Sequence, residues 1–192
     1  NITVTSSDAI SSLAGNLVVN GDFTAGNTGF TTSYNNNANL VPEGNYFITP
    51  NANLNHGSFR GFDHTVGNGI APNYFMCVNG STPAPSQVWK QTVAVTPCTN
   101  YYFATWVQNV DGPPPSVLQF KINGLPASGN ISVPANTIGN FPTWVQISTV
   151  WNSGANSSAV LEIFAQINNA QGNDFGLDDI TFSPVPCPTE VK

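Results

Sequence analysis

Residues 101–109 read Tyr101-Tyr102-Phe103-Ala104-Thr105-Trp106-Val107-Gln108-Asn109. Side chains alternate between the two faces of a strand, so Tyr101, Phe103, Thr105 and Val107 share one face and Tyr102, Ala104, Trp106 and Gln108 the other. Both faces are largely apolar. A strand of this kind is central in its sheet, with its second face covered or used for binding. Runs of the same character follow and precede it at 16–23, 44–49, 74–79, 87–95, 117–123, 143–151, 159–167 and 175–182, divided by Gly, Pro and Asn clusters. Short β-branched and aromatic runs between turn signals, with no capped amphipathic helix, predict an all-β sandwich or barrel. In 117–123, Val117, Gln119 and Lys121 alternate with Leu118, Phe120 and Ile122, which gives one wet face. In 159–167, Leu161, Ile163 and Ala165 face the core and Glu162 faces out. Phe23, Phe103, Phe120, Phe164 and Phe182 are expected in the core.

The chain has 192 residues, enough for one sizeable core. Only 7% of them are charged, against roughly 25% in an average soluble protein. Four basic residues, Arg60, Lys90, Lys121 and Lys192, stand against ten acids for a formal net charge of −6. Scattered cations of that number build no patch for nucleic acid or for anionic lipid. No apolar run approaches the ~20 residues of a membrane span. The Asn-, Thr- and Ser-rich, Lys-poor composition and the want of a signal peptide fit a mature secreted or cell-surface protein. Residues 1–15 read as a linker or an extra edge strand, 16–187 as the binding module, and 188–192 as the start of a connection to a following module.

Three stretches carry a family resemblance. Asn16-Leu17-Val18-Val19-Asn20-Gly21-Asp22-Phe23, followed by Gly29-Phe30, resembles the first strand of jelly-roll carbohydrate-binding modules. Asp63-His64-Thr65-Val66-Gly67-Asn68-Gly69, leading into Tyr74-Phe75-Met76, resembles the equivalent loop and strand of MAM-type adhesion domains. Phe175-Gly176-Leu177-Asp178-Asp179-Ile180-Thr181-Phe182 is similar to the closing strand of both groups. The span 16–187 also resembles modules of secreted multi-domain surface proteins from Bacteroidetes-type gliding bacteria. The resemblance implies a two-sheet antiparallel jelly roll, galactose-binding-like or MAM-like, and recognition without catalysis. The departures are Thr24 where the modules carry Glu, Phe30 where they carry Trp, and the absence of the adhesion domains' first cysteine pair.

No G-x-S-x-G elbow, HExxH or phosphate loop is present. Asp63 and His64 are neighbours, whose side chains point apart in an extended segment. A glycosidase needs two carboxylates across a cleft, and Glu43 with Glu162 is one pair among many. The expected function is therefore carbohydrate binding or cell-surface adhesion. The competing reading is a structural spacer or a self-associating subunit of an extracellular filament or adhesin. The partner would be a glycan or another surface protein. Trp106, Trp144, Tyr34 and Tyr46 are the ligand candidates, as aromatic plates on second faces or loop tips, with Gln108 taking hydroxyl hydrogen bonds.

Asp178 shares its strand face with Ile180 and Phe182, so a charged carboxylate there needs a partner. Hard oxygen donors favour structural calcium. The resemblance implies a cation held by Asp178 and Asp63, with Asp22 or Thr24 adding oxygens; the alternative is Asp178 capping backbone N–H groups. The MAM-type resemblance further implies a Cys98–Cys187 disulfide with Cys77 buried and free, against the alternative of three free thiols.

Overall fold

The computed structural model describes residues 15–81, 83–137, 140–167 and 172–185. The strands are β1 (Asn35–Asn36), β2 (Asn45–Thr49), β3 (Phe75–Val78), β4 (Ser86–Ala94), β5 (Asn100–Asn109) and β6 (Val117–Ile122). They continue as β7 (Leu125–Pro126), β8 (Ile131–Ser132), β9 (Val145–Asn152), β10 (Ser158–Ala165) and β11 (Phe175–Pro184). One 3-10 turn, Ala52–Leu54, capped by the Asn51 side chain, is the only helical element among the described residues. A six-stranded sheet runs β1-β2-β3-β11-β5-β9, and a second sheet runs β4-β10-β6-β7 with β8 also on β6. All pairings are antiparallel except β1 with β2. The all-β, two-sheet sandwich expected from the sequence is the observed fold.

Between the sheets lies the main core, where Phe103, Phe120, Phe182, Trp89, Leu161 and Ile163 are fully buried. Each such side chain contributes about 1.5–3 kcal/mol by leaving water. β5 is an interior strand, between β11 and the edge strand β9, in keeping with its two apolar faces. The outer face of the six-stranded sheet is also covered. Leu40, Ala52, Phe59, Phe75, Cys77 and Val110 form a second buried cluster there, joined by Phe47 and Trp144. The segment 50–73 supplies this cover and acts as a strap across the sheet, tied by Arg60 N–H to the Val110 carbonyl (2.8 Å) and Ala52 N–H to the Gly61 carbonyl (3.0 Å).

Two expectations are corrected. Residues 16–23 form no strand. They run beside β11 with isolated bonds, Leu17 N–H to the Phe182 carbonyl and Ile180 N–H to the Gly21 carbonyl. Asn20 and Phe23 take positive φ (57° and 53°), which breaks a ladder. Phe164 lies on the outer face of β10, where Lys121 Nζ sits 3.9 Å from its ring centre. Glu162 shares that face yet is only 6% exposed, because Lys90 closes on it at 3.3 Å.

The contact between residues 20–22 and β11 is tight. A Cβ on Gly21 would stand 2.1 Å from the Ile180 carbonyl oxygen, a backbone atom that cannot rotate away. Gly21→Ala should therefore lower stability by about 1–3 kcal/mol, read from the denaturant midpoint. An unchanged midpoint would mean that 16–23 is not docked on β11.

Candidate functional site

β11 carries a bulge. Its pairing with β5 slips between Asp178 and Thr181, and Asp179 sits at φ 47°, a conformation that Asp tolerates better than bulky residues. The strap delivers residues 62–65 directly over this bulge and over Trp106, which pairs in register with Asp178 on one side and Gln146 on the other. The His64 ring stacks on Trp106 with centroids 3.9 Å apart and planes 18° apart, and its Nδ1 meets Asp179 Oδ2 at 2.7 Å. Thr65 Oγ1 donates to the same carboxylate. Trp144 stands edge-on to His64 at 5.7 Å. The Phe62 carbonyl accepts from both Trp144 Nε1 and Gln108 Nε2, each at 3.2 Å. Phe62 in turn packs at 4.7 Å on Phe141, which is 60% exposed.

The result is an aromatic platform on the outer sheet face made of two ring groups, Trp106–His64–Trp144 and Phe62–Phe141, joined through the hydrogen bond from Trp144 Nε1 to the Phe62 carbonyl. It unites three of the expected ligand residues, Trp106, Trp144 and Gln108, under the strap. Trp106 and Trp144 are half-buried, whereas Gln108 is buried and committed to the strap backbone. Tyr34 and Tyr46 lie elsewhere. Both are buried in the main core, and the Tyr46 hydroxyl donates to Asn27 Oδ1 at 2.7 Å. Tyr46 begins the pairing of β2 with β3 and does not sit at a loop tip. His64, Phe62 and Phe141 were not expected at the site; the strap that places them leaves no periodic signal in sequence.

Beneath the platform lie Asp63 and Asp178, each about 1% exposed. Asp178 Oδ2 accepts the His64 N–H at 2.7 Å and Oδ1 the Asp179 N–H at 2.8 Å, so this carboxylate caps two backbone N–H groups. Burial pushes the Asp178 carboxyl well above the usual carboxylate range; the neighbouring charges of Asp179 and, less, Asp63 push the same way, and the two N–H donors oppose them. Asp63 Oδ2 accepts from Val66 and Gly67 N–H, while its Oδ1 is buried with no hydrogen-bond partner. Asp22 and Thr24 do not join this pair in the described contacts. They are exposed and bonded to each other, Thr24 N–H and Oγ1 both donating to Asp22 Oδ1. Asp22 lines a separate 250 Å³ cavity with Asp179 and Thr181. Among the described residues no three His, Cys, Asp or Glu side chains are gathered as a metal cluster. The orphaned Asp63 oxygen beside a second buried carboxylate fits a cation at this pair, and Asp22 and Thr24 do not fit it.

Cys77, buried, and Cys98, exposed at φ 55°, are both free among the described residues. Cys187 lies outside the described residues, as do the expected linker, at 1–14, and the onward connection, at 188–192.

No protein-family model matches the sequence, and no curated protein matches it. Solved structures do resemble the fold. TmCBM61, a carbohydrate-binding module solved with β-1,4-galactotriose, is similar with a TM-score of 0.54 at 13% identity, covering 88% of this chain and 99% of that one. The CBM22 tandem of Paenibacillus barcinonensis Xyn10C is similar at 0.53 and 17% identity, covering 93% of this chain and 47% of that one. A Stig cyclase from Fischerella sp. TAU, solved with an indole compound, is similar at 0.59 and 8% identity, covering 91% of this chain and 98% of that one. At these identities the likeness is one of fold, the jelly-roll sandwich shared by carbohydrate-binding modules.

Proposed function

We propose that this chain is a non-catalytic, extracellular carbohydrate-recognition module whose platform of Trp106, His64, Trp144, Phe62 and Phe141 stacks on the apolar faces of pyranose rings. The observation that carries it is these two neighbouring groups of aromatic rings, Trp106–His64–Trp144 and Phe62–Phe141, the latter open at Phe141, on the outer face of a carbohydrate-module-like sandwich. Aromatic faces suit the C–H surface of a sugar, and Asp179, Thr65 and Gln146 beside them offer hydroxyl partners. A β-linked galactan is the first probe to try, because the similar TmCBM61 was solved with β-1,4-galactotriose.

The side-chain arrangements support recognition over catalysis. Ser58 Oγ stands between His56 Nδ1 (3.0 Å) and Asp111 Oδ2 (3.1 Å), so the serine reaches the aspartate and the histidine has no carboxylate to orient it. A nucleophilic triad needs the opposite order. Asp178 has both oxygens engaged by backbone N–H groups and presents no proton to open space. No helix among the described residues is long and apolar enough to cross a membrane.

Calcium belongs to this reading as a structural ion held by Asp63 and Asp178, where it would supply countercharge to two buried carboxylates. A disulfide between Cys98 and Cys187, suited to an extracellular compartment, is part of the same proposal.

The test is binding of soluble polysaccharides to the purified chain and to Trp106→Ala and Phe141→Ala. Loss of a central stacking residue should cost about 2 kcal/mol, about 30-fold in Kd. Phe141 is 60% exposed, so its removal should leave the fold intact and separate binding from folding. Unchanged affinity in both variants would remove the platform from the account.

A further inference from the structure

Asparagine followed by glycine is a pair that can react with itself, because glycine has no side chain to shield its backbone nitrogen from the asparagine amide. The chain has four such pairs, at 20–21, 68–69, 79–80 and 123–124. The fold holds the reacting atoms of three of them. Asn20 Nδ2 donates to the Gly26 and Thr28 carbonyls, both at 2.8 Å, its Oδ1 accepts the Ala25 N–H, and Gly21 is wedged against Ile180. Asn79 is buried, its Nδ2 donates to the Leu40 and Val41 carbonyls, and the Gly80 N–H is held by Asp174 Oδ1 at 2.9 Å. Asn123 is clamped to Val160, its N–H donating to the Val160 carbonyl at 2.9 Å and its Oδ1 accepting the Val160 N–H at 2.8 Å. With Gly124 it also forms the tight turn between β6 and β7, at φ 53° and 77°.

Asn68 differs from all three. It is exposed, and neither its Nδ2 nor the Gly69 N–H donates to another described residue. Only its Oδ1 is engaged, accepting the Ile70 N–H at 2.9 Å and Asn73 Nδ2 at 3.5 Å. The Ile70 bond closes a ring of atoms that contains both Asn68 Cγ and the Gly69 nitrogen, so the side chain is folded back along the peptide that would attack it. Both donors face the oxygen on which negative charge develops when Cγ is attacked, where a hydrogen bond strengthens as the reaction proceeds.

We propose that Asn68-Gly69 is a self-modification site, at which the Gly69 nitrogen cyclises onto the Asn68 side chain and converts it to aspartate and isoaspartate. The Gly69 N–H gives its proton to hydroxide from solvent, and its nitrogen forms a bond to Asn68 Cγ. The Cγ–Nδ2 bond then breaks, and Nδ2 takes a proton from water and leaves as ammonia. Water opens the resulting cyclic imide. Opening at Cγ leaves aspartate; opening at the Asn68 main-chain carbonyl leaves isoaspartate, with one more carbon in the backbone. In sum one water enters, one ammonia leaves, and nothing is oxidised or reduced.

The site borders the platform. A Cβ on Gly69 would lie 2.6 Å from Phe62 Cδ1, so this peptide rests on the ring that packs against Phe141. The reaction sets a carboxylate at that edge and, as isoaspartate, lengthens the backbone lying on Phe62. On the carbohydrate reading, on which this consequence alone rests, aged chains should retain less glycan than fresh ones.

The experiment incubates the intact chain, folded and in urea, in mildly alkaline buffer, then maps its peptides by mass and assays isoaspartate. In urea the four pairs share one chemistry and should convert at similar rates. In the folded chain, conversion at Asn68 should persist, quicken with pH, and run about tenfold or more ahead of Asn20, Asn79 and Asn123, whose hydrogen bonds must break first. Asn68→Ser, at an exposed position, should remove that conversion and leave the denaturant midpoint unchanged. Conversion at Asn68 no faster than at Asn123 in the folded chain, or absent there while the urea sample converts, overturns the proposal. Glycan retention by aged wild type and aged Asn68→Ser is read separately. Equal retention refutes the consequence for the platform, and no retention by fresh wild type refutes the platform itself, while the peptide map alone decides the modification.

Discussion

Reducing the purified, oxidised chain should lower its stability by about 4–5 kcal/mol on the chain-entropy estimate for a closed loop of about 90 residues, a shift in Tm on the order of 10 °C. The register of the two central strands motivates this. Pro184 of β11 lies opposite Tyr101 of β5, and the next residue, Val185, donates its N–H to the Asn100 carbonyl at 2.8 Å. In the sequence Cys98 stands two residues before Asn100 and Cys187 two residues after Val185. Cys77 cannot compete, being fully buried on the far side of the sheet, and burial keeps its thiol protonated. Thiol counting in the denatured, unreduced protein should find one; finding three would refute the bridge, and Cys98→Ser should then leave Tm unchanged.

Chelating divalent cations should also destabilise the chain, by about 3–4 kcal/mol relative to calcium at several hundred times its Kd, or about 6–15 °C. Two carboxylates lie buried together under the platform, and one oxygen, Asp63 Oδ1, has no donor. Without a cation, the Asp178 carboxyl is raised by burial and by its acidic neighbours. A raised folded value means that the proton is bound more tightly in the folded state. In chelator, stability is therefore greatest below the ordinary Asp range and is lost as pH rises through the folded value. Calcium displaces that proton, so the stabilisation it brings should grow with pH. Asp178→Asn keeps an acceptor for one N–H group but removes the charge, and its Tm should not respond to calcium. An unchanged wild-type Tm on chelation removes calcium from the account.

Much of the sandwich was legible in sequence because a two-residue period survives in it. The double apolar face of 101–108 marked β5 as an interior strand, and the alternation in 117–123 is the burial pattern of β6. Where the period was imitated or masked, reading failed. Leu17-Val18-Val19 looks like a strand, yet positive φ at Asn20 and Phe23 and the close approach of Gly21 to Ile180 hold that segment as irregular chain. Phe164 was placed in the core from its strand and is an outer-face residue sheltered by Lys121. The site was half legible. Trp106, Gln108 and Trp144 were named from their strands, but their partners come from 59–65, whose position depends on Gly61 fitting against Gln108 and on tertiary bonds to Phe62 and Val110. Nothing periodic in 50–73 announces a strap.

The central claim is that the aromatic platform on the outer sheet face recognises carbohydrate. A glycan array probed with the wild-type chain and with Phe141→Ala and Trp106→Ala, both checked for native circular dichroism, tests it most directly. The account predicts selective retention on β-linked polysaccharides by the wild type, reduced about 30-fold in Trp106→Ala and measurably in Phe141→Ala. Absence of any retained glycan, or retention equal in all three proteins, would contradict it.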